Sequence, residues 1–338
     1  PTPPPPPPQD TKLWWTVYEA GEGWSQDRPL SGHESSVGPA LYFDGHVPAS
    51  DEKVRTHCLY RGTGSDSRVH LTTYYGLPKD SKWTTQESTP DHRTDHSLAA
   101  DAYSGKEYGD VGCVYVRRHT DATVRFSGMK RRSGGYDWLP DTQIPNCTTD
   151  GDLGFATRFT DTHLAYRGSG SDEQLYYRSG ARQLDGTWTW AEPEKITGAA
   201  SATGASLAQA GNHLYCVYRG TGNDENLYWT RKPLKGRDWE KPQTFGGRSK
   251  KTPALAVIWQ SDDYHLLCVH RGATKDQNLY WTQMSCNQAG QITTPWSNDK
   301  QLGAHTSADR PALSAQEYHK DGQDRTQVLC MHRGHGTD

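Results

Sequence analysis

The chain has 338 residues, of which 33% are hydrophobic and 10% aromatic, and its formal net charge is -3. A charge this close to neutral argues against a nucleic-acid or anionic-membrane surface, and no apolar run approaches the roughly 20 residues of a membrane-spanning helix. The twelve tryptophans argue against disorder and predict a polar fold with many small aromatic-centred cores.

The chain begins with a proline tract over residues 1–9. Such a tract favours the polyproline II conformation and is typical of a linker or tail. We therefore separate it from a single predicted domain over residues 10–338. No signal peptide precedes it, so a mature secreted product and a domain cut from a longer chain both fit this beginning.

One pattern recurs about six times along the domain. Its clearest copy runs from Tyr218 to Thr230 and reads Tyr-Arg-Gly-Thr-Gly-Asn-Asp-Glu-Asn-Leu-Tyr-Trp-Thr. The arginines that open the copies are 50 to 62 residues apart, and they are Arg61, Arg117, Arg167, Arg219, Arg271 and Arg333. Self-similarity at such a period indicates a repeat architecture.

Each repeat predicts four short strands. An apolar stretch precedes the arginine, a Leu-aromatic stretch follows the aspartate, a lone Trp lies further on, and a Pro-Ala-Leu stretch such as Pro253-Ala254-Leu255 closes the unit. The lone tryptophans, which we expect in the core, are Trp24, Trp83, Trp138, Trp188 or Trp190, Trp239 and Trp296. Short β-rich segments bounded by turn residues, without helical periodicity, are typical of the blades of a β-propeller.

The two ends of the domain complete one repeat. Residues 10–16 match the second half of the pattern, and the chain stops at Asp338, at the end of the first half. We therefore predict an all-β, six-bladed β-propeller of four-stranded antiparallel blades. Its ring is closed by a blade shared between the N- and C-termini, which removes exposed sheet edges.

The seven cysteines do not resemble a disulfide framework. Five of them occupy one repeat position, and these are Cys58, Cys113, Cys216, Cys268 and Cys330. Equivalent positions lie a whole repeat apart, too far for a disulfide, so we expect buried free thiols that pack as small hydrophobes. Cys147 and Cys286 lie off the pattern, and a bridge between them is left open.

The Arg-Gly-x-Gly-x-Asp loop allows two interpretations. The first glycine, as in Gly62, Gly168, Gly220 and Gly272, is expected to adopt positive φ, and the Asp to cap backbone N–H groups or pair with the Arg. The loop is then a structural link between blades. In the second interpretation the Arg offers a planar hydrogen-bonding fork beside an aromatic ring, the combination that holds the hydroxyl edge and apolar face of a sugar.

The second interpretation gives the candidate ligand-binding residues. They are Arg61, Arg167, Arg219, Arg271, Arg333, Trp14, Tyr176, Tyr228, Tyr280, Trp229 and Trp281. Adjacent aromatic residues, such as Tyr228 and Trp229, point to opposite faces of a strand. One of each pair must therefore pack within or between blades, while the other is available to a ligand.

The ordered set of apolar strand, Arg-Gly turn, Asp-x-x-Leu-aromatic strand, lone Trp and Pro-Ala-apolar strand resembles the blades of bacterial propeller lectins of the Photorhabdus type. The resemblance covers nearly all of residues 10–338, although that family usually closes seven shorter blades. It implies a non-catalytic lectin that binds fucose-type sugars in several similar pockets between blades. Glycans or glycoconjugates are then the expected partners, without cofactor, metal, nucleic acid or membrane insertion, and an oligomer is left open.

Two alternatives accompany this prediction. One is a glycoside hydrolase of the sialidase-like propeller type, and the other is a receptor-targeting or protein-interaction module of a larger secreted protein. A glycosidase needs two opposed carboxylates, and sialidase-type Ser-x-Asp-x-Gly-x-x-Trp turns are absent from the sequence. The non-repeating acids, namely Glu52, Glu107, Glu192, Glu194 and Asp263, are interpreted as solvated loop charges. We expect a secreted protein, with a cytoplasmic one also compatible with free thiols.

Overall fold

The computed structural model describes residues 10–43, 55–75, 82–102, 111–116, 122–132, 135–158, 161–183, 187–236, 238–260, 262–320 and 323–335. The proline tract, Arg117, Asp338, Glu52 and Glu107 lie outside these residues. The secondary-structure elements of the described residues are all strands. Within these residues, no helix is long and apolar enough to cross a membrane.

The strands form six antiparallel sheets, one for each predicted blade. The chain begins with β1 (Lys12–Glu19), β2 (Gly23–Trp24) and β3 (Arg28–Glu34). Blade I contains β4 (Ala40–Phe43), β5 (Arg55–Arg61), β6 (Arg68–Tyr75), β7 (Lys82–Trp83) and β8 (Glu87–Arg93). Blade II contains β9 (Ala99–Ala102), β10 (Val111–Val116), β11 (Thr123–Arg132), β12 (Gly135–Trp138) and β13 (Thr142–Thr148).

The remaining blades repeat this order. Blade III contains β14 (Gly154–Arg158), β15 (Asp161–Arg167), β16 (Gln174–Arg182), β17 (Trp188–Trp190) and β18 (Glu194–Ala200). Blade IV contains β19 (Ala205–Ala210), β20 (His213–Arg219), β21 (Asn226–Pro233) and β22 (Gln243–Arg248). Blade V contains β23 (Ala254–Gln260), β24 (Asp263–Arg271), β25 (Asn278–Cys286), β26 (Ile292–Thr294) and β27 (Lys300–Thr306). Blade VI contains β28 (Ala312–Lys320) and β29 (Gln323–Arg333), to which β1, β2 and β3 are added.

Blade VI closes the ring as predicted. Strand β1 pairs antiparallel with β29, with Leu13 opposite Arg333 and Glu19 opposite Gln327. The two inner strands therefore come from the C-terminal end and the outer ones from the N-terminal end. The innermost strand of each blade contacts the innermost strand of the next, and β28 contacts both β23 and β4. The prediction of a six-bladed β-propeller is confirmed.

The outermost strand differs from the prediction in one detail. In five blades it is broken into a short segment and a longer one, which both pair with the third strand, as β17 and β18 do with β16. The register shifts within the longer pairing in each blade. A bulge of this kind is common at a sheet edge, where an interrupted ladder also discourages pairing with another chain.

The cores lie between the blades. Each of six hydrophobic clusters combines residues of two adjacent blades, for example Leu175 and Ile196 of blade III with Leu207 and Tyr218 of blade IV. The same pattern repeats around the ring. Burying a side chain of this size contributes about 1.5–3 kcal/mol, so the free energy of folding comes mainly from contacts between blades.

The cysteine thiols belong to these cores. The six cysteines whose side chains are described are free and buried, including Cys147 and Cys286, so no bridge joins that pair. The side chain of Cys113 lies outside the described set. Burial raises the pKa of the Cys147 thiol to about 12, and the thiolate that reactivity requires is therefore disfavoured.

One buried histidine predicts a loss of stability in acid. His163 lies between blades III and IV, where it contacts the Tyr177 hydroxyl through Nδ1 at 2.7 Å. Burial, and secondly the charge of Lys232, lower the pKa of His163 from 6.5 to about 4. The unfolded chain takes up this proton first as the pH falls. The stabilisation is therefore complete above pH 6.5 and is lost between pH 6.5 and 4, by about 3 kcal/mol.

Denaturant unfolding of the wild type and of His163→Gln at pH 7, 6, 5 and 4 measures this effect. The variant is expected to lose less stability across the window, because glutamine cannot titrate. Two parallel pH profiles would contradict the assignment.

Candidate functional site

Two sets of loops meet at one face of the ring, which we call the linker face. The arginine loops join the second strand of each blade to the third, and the linkers join the outer strand of one blade to the inner strand of the next. Antiparallel order brings both sets to the same ends of the strands. Backbone hydrogen bonds connect them, as in Ala202 N to Gly220 O, Lys250 N to Gly272 O and Ala308 N to Arg333 O.

The candidate arginines are buried within these loops. Arg61, Arg167, Arg219, Arg271 and Arg333 are 3–9% exposed. In Arg219, Nη2 donates to the carbonyl oxygens of Gly222 and Asp224 at 2.7 and 3.1 Å. Nη2 of Arg167 donates in the same way to Gly170 and Asp172. The guanidinium groups thus hydrogen bond to the carbonyls of their own loops.

Some of these arginines also reach a linker. Arg61 donates from Nε to the Thr94 carbonyl at 2.9 Å, and Arg333 donates to the Ser36 carbonyl. Arg167 forms an ion pair with Asp150 at 2.8 Å. This geometry is that of a structural link between blades, the first interpretation of the repeat. Whether the same arginines also bind a ligand stays a prediction.

The two glycines of the loop have different roles, and our prediction for the first one is wrong. Positive φ occurs at the second glycine, at Gly64, Gly170 and Gly222, and not at the first. A Cβ on Gly220 would lie 2.4 Å from Oδ2 of Asp224, and the other first glycines are equally crowded by their own Asp. The first glycine is therefore required for the close approach of the aspartate.

The aspartate positions the first aromatic residue of each pair, which is partly exposed. Oδ1 of Asp224 accepts a hydrogen bond from the backbone N of Asn226, and Oδ2 accepts one from the Tyr228 hydroxyl at 2.8 Å. The equivalent pairs are Tyr176 with Asp172 and Tyr280 with Asp276. The hydrogen bond to Asp224 is also the main cause of a raised pKa for Tyr228. These tyrosines are the accessible members of the aromatic pairs.

The other aromatic of each pair packs against the neighbouring blade. Trp229 is 5% exposed and contacts Trp296 of the next blade with ring centroids 6.3 Å apart. Trp281 contacts Trp24 of blade VI in the same way. The lone tryptophans are therefore interblade core residues, as predicted. Trp229 and Trp281 thus lie in the core layer, while Tyr228 and Tyr280 lie beside the loops.

The closing loop is assembled from both termini. Oδ1 of Asp10 accepts a hydrogen bond from the backbone N of Lys12, and Nε1 of Trp14 lies 3.4 Å from Oδ2 of Asp10. A Cβ on Gly334 would lie 2.3 Å from that Oδ2, so Asp10 fills the place that Asp224 has in blade IV. Trp14 takes the place of Tyr228.

Two glutamates that the sequence interpretation missed link neighbouring loops directly. Oε1 of Glu225 accepts a hydrogen bond from Thr274 N at 3.0 Å, and Oε2 accepts one from Thr274 Oγ1 at 2.8 Å. These two hydrogen bonds join blade IV to blade V. Glu173 accepts from Gly222 N and joins blade III to blade IV. Both glutamates directly follow the repeat aspartate. Only two copies of the repeat have a glutamate at this position, so the repeat pattern did not indicate their role as links.

A buried hydroxyl at the start of every linker was also missed, although it occurs in all six copies. Each one accepts a hydrogen bond from the backbone N two residues further on and is 0% exposed. These residues are Ser35, Thr94, Thr149, Ser201, Ser249 and Ser307. Such a turn fixes the direction in which the chain enters the next blade.

The non-repeating charges of the linker face gather around the axis of the ring. We call this group the central mouth: Asp152, Lys251, Asp309 and Arg310. Nζ of Lys251 lies 2.9 Å from Oδ1 of Asp309, and Nη1 of Arg310 lies 3.9 Å from Oδ1 of Asp152. Because these residues come from three different linkers, only the closed ring brings them together.

Arg310 closes the axial channel beneath the mouth. It is 7% exposed, and it donates from Nη1 to the Leu153 carbonyl at 3.1 Å and from Nη2 to Ser206 Oγ at 3.3 Å. The cavity next to it measures only about 60 Å³. A ligand bound at this face would therefore lie over Arg310, in contact with the mouth carboxylates, and not inside the channel.

The described non-repeating acids that the sequence analysis named lie outside the central mouth. The side chain of Glu194 is 43% exposed, as predicted, but the residue lies on β18 and not in a loop, and its carboxylate forms an ion pair with the buried Lys232 at 2.8 Å. Glu192 is exposed as predicted. Oδ2 of Asp263 accepts from Thr293 Oγ1. Within the described ranges no group of three or more His, Cys, Asp or Glu could hold a metal ion.

Comparison with known proteins places the chain among solved propellers. No family model and no curated protein matches. A triple arginine-to-alanine mutant of AofleA from Arthrobotrys oligospora superposes with a TM-score of 0.62 at 11% identity, over 94% of this chain and 82% of that one. The sialidase of Trypanosoma rangeli in complex with sialic acid has a TM-score of 0.50 at 10% identity, over 93% of this chain and 56% of that one.

A third similar structure is the GH43_1 enzyme from Xanthomonas citri complexed with xylotriose. Its TM-score is 0.50 at 12% identity, over 82% of this chain and 95% of that one. At these identities the likeness shows the fold. The prediction of a non-catalytic lectin with several interblade pockets is nevertheless wrong as the leading interpretation. The similar propellers include a sialidase and a GH43_1 enzyme, which favours the glycosidase alternative, while the resemblance to Photorhabdus-type lectins stays a prediction.

Proposed function

We propose that the protein is a glycoside hydrolase of the sialidase-like propeller type, with one substrate site at the central mouth. The observation that carries the proposal is the convergence of Asp152, Lys251, Asp309 and Arg310 on the ring axis. Each of these residues occurs in one linker only, as a single site requires. The sugar ligands of similar propellers, sialic acid and xylotriose, support a glycan substrate.

The chemistry of glycoside hydrolysis suits this group. The reaction uses two carboxyl groups, one that protonates the leaving oxygen and one that acts as nucleophile or activates water. Asp152 and Asp309 supply carboxyl groups from the linkers before blades III and VI. Their side chains are 15% and 12% exposed, so both can be reached from the linker face.

The two cations would position the substrate. Lys251 has a side chain 35% exposed, and its ammonium group can donate to sugar hydroxyls or to the carboxylate of an acidic sugar. Arg310 supports the floor of the site through its bonds to blades III and IV. The same guanidinium faces the Asp152 carboxylate, with Nη1 3.9 Å from Oδ1.

A hydrolysis screen tests the proposal. The wild type is assayed with 4-nitrophenyl or 4-methylumbelliferyl sialosides, xylosides, arabinofuranosides and fucosides. We expect turnover of at least one substrate. Asp152→Asn and Asp309→Asn are each expected to lower kcat/KM by about 10²–10⁴-fold, because an amide can neither donate an acid proton nor act as a base.

Glu192→Gln, a change of an exposed carboxylate outside the mouth, is the matched control and should keep full activity. Circular dichroism and the melting temperature verify that the variants fold. The proposal fails if the wild type hydrolyses none of the substrates. It also fails if folded Asp152→Asn and Asp309→Asn both retain wild-type rates.

A further inference from the structure

A large aromatic side chain is exposed at the end of the strands opposite the linker face. Trp259 lies on β23 and is 54% exposed, and it and Ile292 are the two large hydrophobic side chains exposed within the described ranges. Across the hairpin Trp259 pairs with Tyr264 of β24, and the next pair, Gln260 with Asp263, closes the hairpin. Only two residues form the turn, so the indole is carried by a short and well-defined hairpin.

The neighbouring blade does not extend over this indole. Leu255 packs into the core between blades IV and V, and Trp259 follows it at the two-residue period of a strand, so it shares the face directed at blade IV. Leu207 and Leu255 pair with the repeat cysteines of their own blades and are therefore equivalent. Gly211 then corresponds to Trp259. Blade IV turns at this level, since Gly211 and Asn212 join β19 to β20.

A chain of polar side chains begins at Tyr264, the cross-strand neighbour of Trp259. The Tyr264 hydroxyl donates a hydrogen bond to Oε1 of Gln288 at 2.6 Å, and Nε2 of Gln288 donates one to Oδ1 of Asn212 at 3.0 Å. The backbone N of Asn212 also donates to the Gln288 carbonyl. These contacts fix the orientation of both side-chain amides.

Both amides keep donors for a ligand. A primary amide has two N–H groups, and the hydrogen bonds within the described ranges use one N–H of Gln288 and neither of those on Nδ2 of Asn212. Asn212 and Gln288 are exposed, so their remaining N–H groups can reach a bound molecule.

An exposed indole beside fixed amide donors suits the surface of a sugar. The apolar C–H face of a sugar ring packs on an aromatic ring, and its hydroxyls hydrogen bond to amide groups. Asp262 and Asp263 of the hairpin turn would repel a carboxylate or sulfate group. The patch therefore favours a neutral sugar over an acidic one.

We propose that Trp259, Asn212 and Gln288 form an accessory site for a neutral oligosaccharide chain, which we call the Trp259 platform. One sugar ring lies on the indole, and the two amides donate to its hydroxyls. The platform is at the opposite end of the strands from the central mouth. It attaches the protein to a polysaccharide and does not depend on the proposed hydrolase activity.

Calorimetry with xylohexaose, cellohexaose and chitohexaose tests the proposal on the complete chain, or on its Asp309→Asn variant where a probe is hydrolysed. We expect at least one probe to bind with a Kd of about 1 mM or tighter. Trp259→Ala should weaken this binding by about tenfold or more, and for a probe that also binds elsewhere it should remove one site. Trp259→Phe keeps a ring and should weaken binding by less than about threefold.

Two further variants define the platform. Asn212→Ala should weaken the same probe several-fold, because an amide donor is lost. Ile292→Ala is the matched control and should leave binding unchanged. Ile292 is 40% exposed, but it lies on β26, three strand spacings or about 14 Å from β23.

Circular dichroism verifies that the variants fold. The proposal is overturned if none of the three probes binds the wild type, or if folded Trp259→Ala binds them as the wild type does. Analytical ultracentrifugation tests the other occupant of the patch. A dimer of the wild type that Trp259→Ala abolishes, without glycan binding, would assign the indole to a contact between copies and would also overturn the proposal.

Discussion

Replacing Gly204 with alanine is expected to lower the free energy of unfolding by about 4 kcal/mol or more. Gly204 has a φ of +125°, and an added Cβ would lie 2.1 Å from the carbonyl oxygen of Asp152. The linkers before blades III and IV approach here as a parallel bridge between Asp152 and Gly204. The clash is with backbone, so it can be relieved only by separating the two linkers, which also displaces Asp152 from the central mouth.

Differential scanning calorimetry measures the effect, with an expected fall in Tm of about 6 °C or more for a chain of this length. The matched control is Gly222→Ala, since Gly222 also has positive φ, +51°, but has no atom within 4 Å of the added Cβ. Gly222→Ala is expected to lower the free energy of unfolding by about 1 kcal/mol, because only the left-handed backbone conformation disfavours the alanine. Equal effects of the two substitutions would show that the contact with Asp152 is not the cause.

Removal of Arg219 should destabilise the fold by about 2–3 kcal/mol. The side chain is 3% exposed, and Arg219→Ala leaves the carbonyl groups of Gly222 and Asp224 without their donor. It also removes the aliphatic packing of a buried stem. Because the loop contacts the linker through Ala202 N and Gly220 O, its loosening should extend to the linker face.

Denaturant unfolding of Arg219→Ala is compared with that of Arg248→Ala, whose side chain is 61% exposed and which should change stability by less than about 0.5 kcal/mol. A glycan-binding assay on the same variants separates the two interpretations of the repeat. If Arg219→Ala kept wild-type stability and lost glycan binding, the arginine would be a ligand and the structural interpretation would be wrong.

The strands and their order could be predicted from the sequence because each follows from local patterns that recur. The apolar stretch of β20, the Leu-aromatic stretch of β21, the lone Trp and the two matching half-repeats at the ends were sufficient for six blades and for the closure at Asp10. The first glycine of the loop was misinterpreted because sequence shows that a glycine is needed but not why. Gly220 makes room for Asp224, whereas Gly222 provides the left-handed turn.

The candidate site was harder to predict, because repetition directs attention to residues that hold the blades together. Arg219 and Trp229 recur, and the structure shows both engaged in loop and interblade contacts. Asp152, Lys251, Asp309 and Arg310 each occur once, at linker positions filled elsewhere by Gly38, Ser97 or Thr203, so no pattern marks them.

By itself the sequence determined the repeat, the all-β blades, the number of blades and the closure of the ring. Each of these features follows from a sequence pattern that recurs along the chain and is complete within a single repeat. Only the tertiary structure decided which charges meet on the axis and that Arg310 closes the channel there. The reason is geometric, because the linkers and innermost strands that build these sites are about 50 residues apart in sequence and become neighbours only when the ring closes.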